Sequence, residues 1–367
     1  MAWIEQRGDT WRVRYYRSDG SIATESGHTH PDTARQRAHD IEYESRQGTF
    51  KDPQRGQMLF GDWCETWCEA HDVSTNTWAK YHAHLRNHIR PKFEDTPLSD
   101  ITRMSIRSWT KKLRRDLSDT TIVDIVTLLS MILGEAVEEE LIGSNPCRRL
   151  RITLNNAEPR EIATHWQLHR IAQRCPHHQL LIWTAAYTGL RWSELAALQW
   201  RNVNLTHRTL TVDPKHGALH ETHGRLELGA PKTPASARTV HLPTFLTELL
   251  RQHPTRTQHE HVFLSEHGRL LRRANFRDRV WRPAVAGHPQ HGWAPLLPKL
   301  TFHALRHTHK TWLIEDAVPE VLQHQRLGHR MPGIRGIYSH PTQPMIDAML
   351  TALEHRWQRD HTATISA

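Results

Sequence analysis

Alternating and helical patterns of apolar positions divide the chain into three blocks. In the first block, WRVRYYR (residues 11–17) places an apolar side chain at every second position, which predicts a half-buried strand, and the SDGS that follows predicts a hairpin turn. Ala34, Ala38 and Ile41 then recur at helical spacing, with Asp32 as the expected cap and Gly48 as the expected stop. Residues 1–50 are therefore predicted to form a small three-stranded sheet with one helix.

Helical periodicity takes over after FKDPQRGQ (residues 50–57), a segment typical of a linker. Four apolar stripes follow, and the longest lies in TTIVDIVTLLSMILGEAVEEELIG, before NPC ends it. These stripes predict a bundle of four short helices over residues 57–150. Their members are Phe60, Trp63, Cys64 and Trp67; Trp78, Tyr81, Leu85 and Ile89; Ile106, Trp109 and Leu113; and Ile122, Ile125, Val126, Leu129, Ile132, Leu133 and Ala136.

Residues 160–360 mix helical segments with a β region between residues 208 and 243, where short β-rich runs are separated by Gly, Pro and Asp. This order predicts an α+β domain. Near its end, Met345, Met349, Leu350 and Leu353 form one apolar helix face, which packs either on its own domain or on a neighbouring subunit. The fold class is therefore a multidomain, mainly α-helical protein with small β-sheets.

The charge of the chain narrows the class of partner. The chain has 367 residues, a formal net charge of +9 and 30 histidines, and its pI is about 9.6. Such a chain attracts polyanions, so nucleic acid is the first expectation and a membrane surface the second. No window approaches roughly 18 consecutive apolar residues, and the N-terminus lacks the apolar core of a signal peptide. We expect a soluble protein of the cytoplasm, associated with the nucleoid, without a membrane partner and with its four cysteines reduced.

Basic side chains concentrate on the outer faces of the first two blocks. On the predicted strand, Arg12 and Arg14 contact either nucleic acid or only solvent, and the sequence does not decide between these interpretations. On the bundle, charge of one sign recurs on several helices, which favours a DNA-facing surface over an ordinary solvated face. The bundle residues for which we predict DNA contact are Lys80, Arg86, Lys111 and Lys112.

Two motifs of the third block carry residues suited to binding a phosphate. In AAYTGLRWSEL, Gly189 interrupts a helix, so Arg191 lies near the N-terminus of the next helix, where its guanidinium and free backbone N–H groups can meet an anion. Glu194 follows one turn later and can hold that arginine in place. In FHALRHT, His303 and Arg306 are three residues apart and share a helix face. Together these motifs predict convergent phosphate ligands.

The motifs resemble those of the tyrosine recombinases, also called the phage integrase family. The resemblance rests on TGLRWSEL, PKTPASARTVHLP, FHALRHT and LGHRMPGIRGIYSH, which stand in the family's order over roughly 150 residues. It implies a catalytic domain at residues 160–360 that shares its fold with type IB topoisomerases, a SAM-like core-binding bundle before it, and an arm-type DNA-binding module at residues 1–50. The catalytic residues that it implies are Arg191, Lys232, His303, Arg306, His329 and Tyr338.

Phosphoryl transfer to a tyrosine requires cationic side chains, proton acceptors and proton donors, which are the residue types that the resemblance implies. A phosphodiester attacked by an oxygen nucleophile gathers negative charge on its non-bridging oxygens, which Arg191 and Arg306 are suited to stabilise. A tyrosine has a pKa of about 10 in water, so Tyr338 needs the cationic field, with His303 as proton acceptor, before it can attack. The leaving 5′-oxygen needs a proton, and Lys232 is the natural general acid. In this scheme His329 donates to the phosphate or shuttles the proton, and Lys215 is the alternative to Lys232.

Other functions are weighed against this hypothesis. Cys64, Cys68 and His71 could bind zinc, but their spacing has no second pair and also fits a core helix; no carboxylate cluster indicates a two-metal nuclease either. We therefore expect neither a metal nor another cofactor. The chain could also be an inert DNA-binding regulator, or a relaxing enzyme similar to type IB topoisomerases. All six implied catalytic positions hold the expected residue type, which favours a site-specific recombinase that integrates or excises a mobile element.

Recombination joins two duplexes and cuts each of them twice, so the reaction implies a homotetramer on double-stranded DNA that carries the attachment sites. An excision factor or a host DNA-bending protein is a further partner compatible with such an integrase.

Overall fold

The structure, a computed structural model, describes residues 1–17, 20–47, 55–152, 161–222, 224–331 and 340–365, with side chains in the last range as far as Arg359. The chain forms two compact units, residues 1–157 and 158–367. Among the described residues, the first unit contains two buried apolar clusters and the second contains one. The division into three domains, at residues 1–50, 57–150 and 160–360, stays a prediction.

The first unit begins with three antiparallel strands, β1 (Ala2–Arg7), β2 (Thr10–Tyr16) and β3 (Ile22–His28), which pair in that order. Val13 and Tyr15 of β2 are almost fully buried, whereas their neighbours Arg12 and Arg14 lie on the other face of the sheet. The alternation predicted for this strand is therefore confirmed.

Helix α1 (Pro31–Arg46) follows the sheet and buries Ala34, Ala38 and Ile41, as its periodicity predicts. The expected cap was wrong, because the N-cap is His30 and Asp32 lies inside the first turn. A proline at the first helical position has no N–H to satisfy, and an acidic side chain in the first turn meets the positive end of the helix dipole. The expected stop at Gly48 lies outside the described residues.

The second buried apolar cluster of the first unit is formed by four helical segments, as predicted, one of which consists of two helices joined by a π-helical turn. They are α2 (Phe60–Ala70), α3 and α4 (Thr75–His84 and Arg90–Phe93, joined by the π-helical turn Leu85–Ile89), α5 (Arg103–Leu113) and α6 (Asp119–Glu138). Thr102 and Ser118 cap α5 and α6 through their hydroxyls. By length and composition α6 could also cross a bilayer, but eight of its side chains are buried in the cluster, as in the core helix of a bundle.

The second unit carries helices around three short strands and a separate hairpin. Its helices are α7 (His165–Gln173), α8 (Gln179–Thr188), α9 (Trp192–Ala196), α10 (Thr244–Arg251), α11 (Thr255–Gln258), α12 (Arg273–Phe276), α13 (Arg282–Ala286), α14 (Ala304–Glu315), α15 (Glu320–Leu327) and α16 (Gln343–Ile365). Its strands are β4 (Val203–Asn204), β5 (Thr209–Val212), β6 (Ala218–Thr222), β7 (Arg225–Gly229) and β8 (Arg238–His241). β4, β5 and β8 form one antiparallel sheet, and β6 pairs with β7.

The core of the second unit lies between α8, α14 and the helices that flank them. All ten residues of α8 except the first are buried, so this helix runs through the interior. The C-terminal helix α16 packs on its own unit, with Met349 and Leu353 in the common core and Trp357 stacked on Phe245 at 4.1 Å between ring centroids. In the single chain the helix therefore packs on its own domain, and packing on a neighbouring subunit stays the alternative prediction.

Candidate active site

Arg191 and Glu194 lie where the interior helix α8 ends. The C-cap of α8 is Gly189, whose φ of +66° is a left-handed conformation that glycine adopts at little cost. The chain then turns, and Arg191 becomes the N-cap of α9. Its backbone N–H donates to Glu194 Oε2 at 3.0 Å and its Nη1 donates to Oε1 at 2.7 Å. The predicted contact between the two residues is present.

Glu194 holds a second arginine that the sequence did not single out. Arg238, at the start of β8, donates from Nη2 to Glu194 Oε2 at 3.1 Å. The glutamate is only 3% exposed. Burial disfavours its ionised form, yet the charges of Arg238 and Arg191 and the hydrogen bonds that both donate hold its pKa below the ordinary value. Glu194 is therefore a buried anion with two cationic partners.

The second predicted arginine reaches the same place from α14. Arg306 is 5% exposed; its Nη1 donates to the carbonyl of Gly189 at 2.6 Å, and its Nη2 donates to the carbonyl of Leu327 and to His329 Nε2, the last at 2.9 Å. Burial and repulsion by Arg191 lower the pKa of Arg306 to about 9, so it is still charged at neutral pH. A guanidinium can only donate, so Nε2 of His329 accepts and the ring carries its proton on Nδ1.

Both predicted histidines are neutral at pH 7. Desolvation, followed by the charges of His307 and Arg306, lowers the pKa of His303 to about 4. Desolvation and the charges of Arg306 and Arg191 lower the pKa of His329 to about 4. Each imidazole retains exposed surface. A neutral imidazole beside a cationic cluster can accept a proton, and a bound phosphate anion would raise its affinity for one.

Lys232 lies on an exposed segment that is anchored to Arg191. It follows the end of β7 by three residues and is therefore not in the turn of the β6–β7 hairpin. Ser236, at the end of the 3₁₀ turn after it, accepts a hydrogen bond from Arg191 Nη1 at 2.9 Å. The alternative lysine, Lys215, lies in the turn after β5, where its backbone N–H donates to Asp213 Oδ1 at 2.8 Å. The contacts favour Lys232, because its segment is bonded to Arg191, the first of the two predicted catalytic arginines.

Arg326 anchors the segment that leads to His329, and the sequence reasoning missed it. Its side chain is buried and donates to three acceptors: His309 Nε2 at 2.9 Å, the carbonyl of His241 at 2.9 Å and the carbonyl of Tyr187 at 2.7 Å. These acceptors belong to α14, β8 and α8. The one local signal was a charged residue in register with the apolar Leu322 on the buried face of α15, a face that also carries the polar Gln323. The long-range acceptors are visible only in the folded chain.

Positive charge therefore exceeds negative charge around the site. Arg191, Arg238, Arg306 and Arg326 lie within this network. Arg191 and Arg238 donate to the Glu194 carboxylate, whereas the hydrogen bonds described for Arg306 and Arg326 go to backbone carbonyls and to histidine nitrogens. A buried cation without a counter-ion is costly. An added anion, such as a phosphodiester, would relieve this repulsion, so the site is suited to bind one.

The nucleophile proposed from the resemblance, Tyr338, lies in residues 332–339, outside the described residues. Its role stays a prediction from the sequence, and the structure describes the chain on both sides of it.

The predicted DNA-binding residues occupy different environments. Arg12 and Arg14 of β2 both contact Glu5 of β1, at 2.8 and 3.3 Å, and Lys80 pairs with Asp124 at 2.7 Å. The other three predicted contacts, Arg86, Lys111 and Lys112, are exposed. Their contact with DNA stays a prediction.

The zinc alternative concerns Cys64 and Cys68 of α2 and His71 at the end of that helix. Within the described residues, which include Cys64, Cys68 and His71, no group of three His, Cys, Asp or Glu side chains is arranged to hold a metal ion. Desolvation raises the pKa of the Cys64 thiol to about 12.

Comparison with protein families gives two matches. Residues 161–344 match the phage integrase family, and residues 59–114 match the N-terminal SAM-like domain of phage integrases. The first match covers half of the chain and includes every predicted catalytic position. The protein therefore belongs to the phage integrase family and is an enzyme of the tyrosine recombinase class.

Individual relatives agree with this family. The chain is 27% identical over 324 residues to a XerC-like tyrosine recombinase of Caldanaerobacter subterraneus, covering 77% of this chain and 79% of the relative. It is 27% identical over 285 residues to the putative prophage phiRv2 integrase of Mycobacterium tuberculosis, covering 77% and 74%. The integrase of Mycobacterium phage L5 is 24% identical over 302 residues, covering 80% and 78%.

Solved structures share the fold at low identity. The Tn1549 transposon integrase in complex with transposon right end DNA superposes with a TM-score of 0.66 at 18% identity, covering 80% of this chain and 99% of that one. A lambda integrase tetramer bound to a Holliday junction superposes with a TM-score of 0.57 at 17% identity, covering 93% and 98%. The predicted fold class is confirmed.

Proposed function

We propose that this tyrosine recombinase is the integrase of a mobile element, which cuts and rejoins attachment-site DNA through a 3′-phosphotyrosine on Tyr338. The observation that carries the proposal is the convergence of Arg191, Arg306 and His329 at the ends of α8 and α15. Arg191 Nη2 lies 3.5 Å from the carbonyl of Gly328, and Arg306 donates to the ring of the next residue, His329. A single phosphate placed there can meet both guanidinium groups.

Each residue has a distinct task in the proposed reaction. The Oη–P bond of Tyr338 forms while the P–O5′ bond breaks, and Arg191 and Arg306 stabilise the charge that grows on the non-bridging oxygens. His303, neutral before attack, accepts the phenolic proton. Lys232 gives a proton to the leaving 5′-oxygen, and His329 donates from Nδ1 to the phosphate. Because the phosphotyrosine bond conserves the energy of the phosphodiester, a 5′-hydroxyl can religate it without ATP.

The proposed partner is double-stranded DNA that carries the attachment sites, bound by four copies of the chain. Relatives described as integrases of mycobacteriophages and as the ICEBs1 integrase of Bacillus subtilis support the assignment to a mobile element, as does the complex of lambda integrase with a Holliday junction. Two duplexes with two cuts in each require four nucleophiles. An excision factor or a DNA-bending protein would act on the direction of the reaction. We propose the cytoplasm, in association with the nucleoid, as the place where the protein acts.

The metal-free chemistry follows from the residues proposed for it. The guanidinium groups supply the electrostatic stabilisation that metal ions supply in two-metal enzymes, and the proton donors and acceptors are side chains. We therefore propose that the reaction needs no cofactor.

The experiment is a trapping assay. Nicked duplexes from the attachment region beside the protein's own gene are incubated in EDTA with wild type or with Tyr338→Phe, and covalent protein–DNA adducts are scored on a denaturing gel. We expect an adduct with wild type that is lost in the variant. An adduct that persists in Tyr338→Phe would show that another residue attacks. DNA retained by wild type on a native gel without any adduct would favour an inert DNA-binding regulator.

A further inference from the structure

The segment between Lys232 and Arg238 is held from two sides. On one side, Ser236 Oγ accepts from Arg191 Nη1 at 2.9 Å. On the other, Arg238 Nη1 donates to the carbonyl of Ser236 at 2.7 Å, and its Nε donates to the carbonyl of Arg326 at 2.6 Å. Gly328 fits closely against this segment, since a Cβ there would lie 3.0 Å from the Cα of Ser236. The segment is therefore fixed relative to Arg191 and to the end of α15.

A pair of hydroxyl groups extends this anchoring toward Lys232. Ser236 is fully buried, and its Oγ lies 2.9 Å from Thr233 Oγ1. The backbone repeats the connection, because the N–H of Ser236 donates to the carbonyl of Thr233 at 2.9 Å. Thr233 is exposed and is the residue directly after Lys232. Two hydrogen bonds thus lead from Arg191 to the residue beside the lysine.

The direction of these bonds follows from the chemistry of the groups. A guanidinium has no acceptor, so Arg191 donates to Ser236. The hydroxyl proton of Ser236 is buried and needs an acceptor, and Thr233 Oγ1 is the side-chain acceptor at hydrogen-bond distance among the described residues. Donation by a charged group strengthens the next bond in such a chain. The series therefore runs from Arg191 through Ser236 to Thr233.

We propose that Ser236 and Thr233 are positioning residues that hold Lys232 where it can protonate the leaving 5′-oxygen of DNA. The inference rests on the proposed function, in which Lys232 is the general acid. A lysine side chain is a flexible four-carbon stem. Its ammonium can be held in one position only if the backbone that carries it is also held in place. Neither hydroxyl touches the reacting atoms in this scheme. The contribution of Thr233 is confined to the step in which the P–O5′ bond breaks and O5′ takes a proton, whereas Ser236 also serves as an acceptor for Arg191.

The test uses DNA in which sulfur replaces the bridging 5′-oxygen of the scissile phosphate. The P–S5′ bond then breaks with departure of a thiolate, which needs no proton because thiols have pKa values of about 8.5. The full-length protein is compared as wild type, Thr233→Val, Ser236→Ala and Lys232→Ala. Thr239→Val is the matched control, since Thr239 is an exposed threonine on the following strand β8. The rate of adduct formation is measured on oxygen and on sulfur DNA.

We expect Thr233→Val to slow adduct formation on oxygen DNA about tenfold, the effect of one lost hydrogen bond, and to match wild type on sulfur DNA. Lys232→Ala should show a larger loss with the same rescue, and the double variant Thr233→Val/Lys232→Ala should be no slower than Lys232→Ala alone. Thr239→Val should resemble wild type on both substrates. Ser236→Ala should be rescued at least in part, because it also removes an acceptor from Arg191.

Other outcomes would overturn the inference. If sulfur DNA does not rescue Thr233→Val, the hydroxyl acts on the fold or on Arg191 rather than on Lys232. If Thr233→Val equals wild type on oxygen DNA, the hydroxyl has no role. If wild type and Lys232→Ala behave as described and both hydroxyl variants fail to be rescued, the general acid stands and the positioning role is refuted. If wild type forms no adduct with either DNA, the proposed function itself is wrong.

Discussion

The buried carboxylate of Glu194 offers the sharpest test of how the site is held together. Glu194→Gln keeps the shape of the side chain and removes its charge. In the structure both carboxylate oxygens are used, Oε1 by Arg191 Nη1 and Oε2 by the Arg191 backbone and Arg238 Nη2. Whichever way the amide of glutamine is turned, its NH₂ group faces an N–H donor. At least one hydrogen bond is lost, and the arginines lose their shared anion.

The size of the effect follows from burial. Removing one partner of a buried ion pair typically costs about 3–5 kcal/mol, because the remaining charge is left without compensation. Glu194 is 3% exposed, so solvent screens this loss very little. The matched control is Glu248→Gln, which breaks the half-exposed pair with Arg251 on α10 and should cost less than about 1 kcal/mol.

The assay is hydrogen exchange followed by mass spectrometry on peptides that span α8 and α9. A loss of about 3–5 kcal/mol lowers protection there by roughly a hundredfold to a few thousandfold, since about 1.4 kcal/mol corresponds to tenfold. Adduct formation should fall by more than about tenfold at a temperature where the variant is folded, because Arg191 loses its orientation. A change in protection of less than about threefold, equal to that of Glu248→Gln, would refute the reasoning.

Three further predictions concern other parts of the second unit. Gly328→Ala should lower the melting temperature well beyond Gly292→Ala: both glycines have a φ near +64°, but a Cβ at Gly328 would meet three atoms within about 3 Å and one at Gly292 would meet none within 4 Å. Burial lowers the pKa of His178 to about 4, so the folded state binds fewer protons than the unfolded state between about pH 6.5 and 4. Its contribution to stability should fall as pH drops through that window, and His178→Gln should flatten the pH dependence of urea unfolding. Lys232→Ala should slow cleavage of oxygen DNA by more than a hundredfold, whereas Lys215→Ala should change it less than about threefold; equal losses in an adduct assay would contradict the assignment of the general acid.

Local patterns predicted the secondary structure and named most of the site. The alternation in β2, the four helical stripes of the bundle and the break at Gly189 depend on neighbours within a few residues, and the structure has them where the pattern placed them. One error was also local. The cap of α1 is His30 because a proline occupies the first helical position.

The partners of the site residues could not be predicted in the same way. Arg238 meets Glu194, 44 positions away in the sequence, and Arg326 meets the carbonyl of Tyr187, 139 positions away. A sequence motif specifies which residue types stand at which positions. It does not specify which buried carbonyl or hydroxyl group accepts a hydrogen bond from a given guanidinium. The placement of α16 on its own unit is of the same kind, because an apolar stripe fits any complementary surface.

The sequence by itself therefore determined the class of protein, its family and the types of residue that the proposed reaction uses. These can be predicted from periodicity, charge and short motifs, which depend only on the order of residues along the chain. Only the tertiary structure decided which arginines donate hydrogen bonds to Glu194 and how Ser236 connects Arg191 to the segment of Lys232. It also decided which nitrogen of His329 accepts a hydrogen bond from Arg306. Those choices depend on distances of about 3 Å between groups far apart in the chain, and hydrogen bonds and ion pairs are selective at that range.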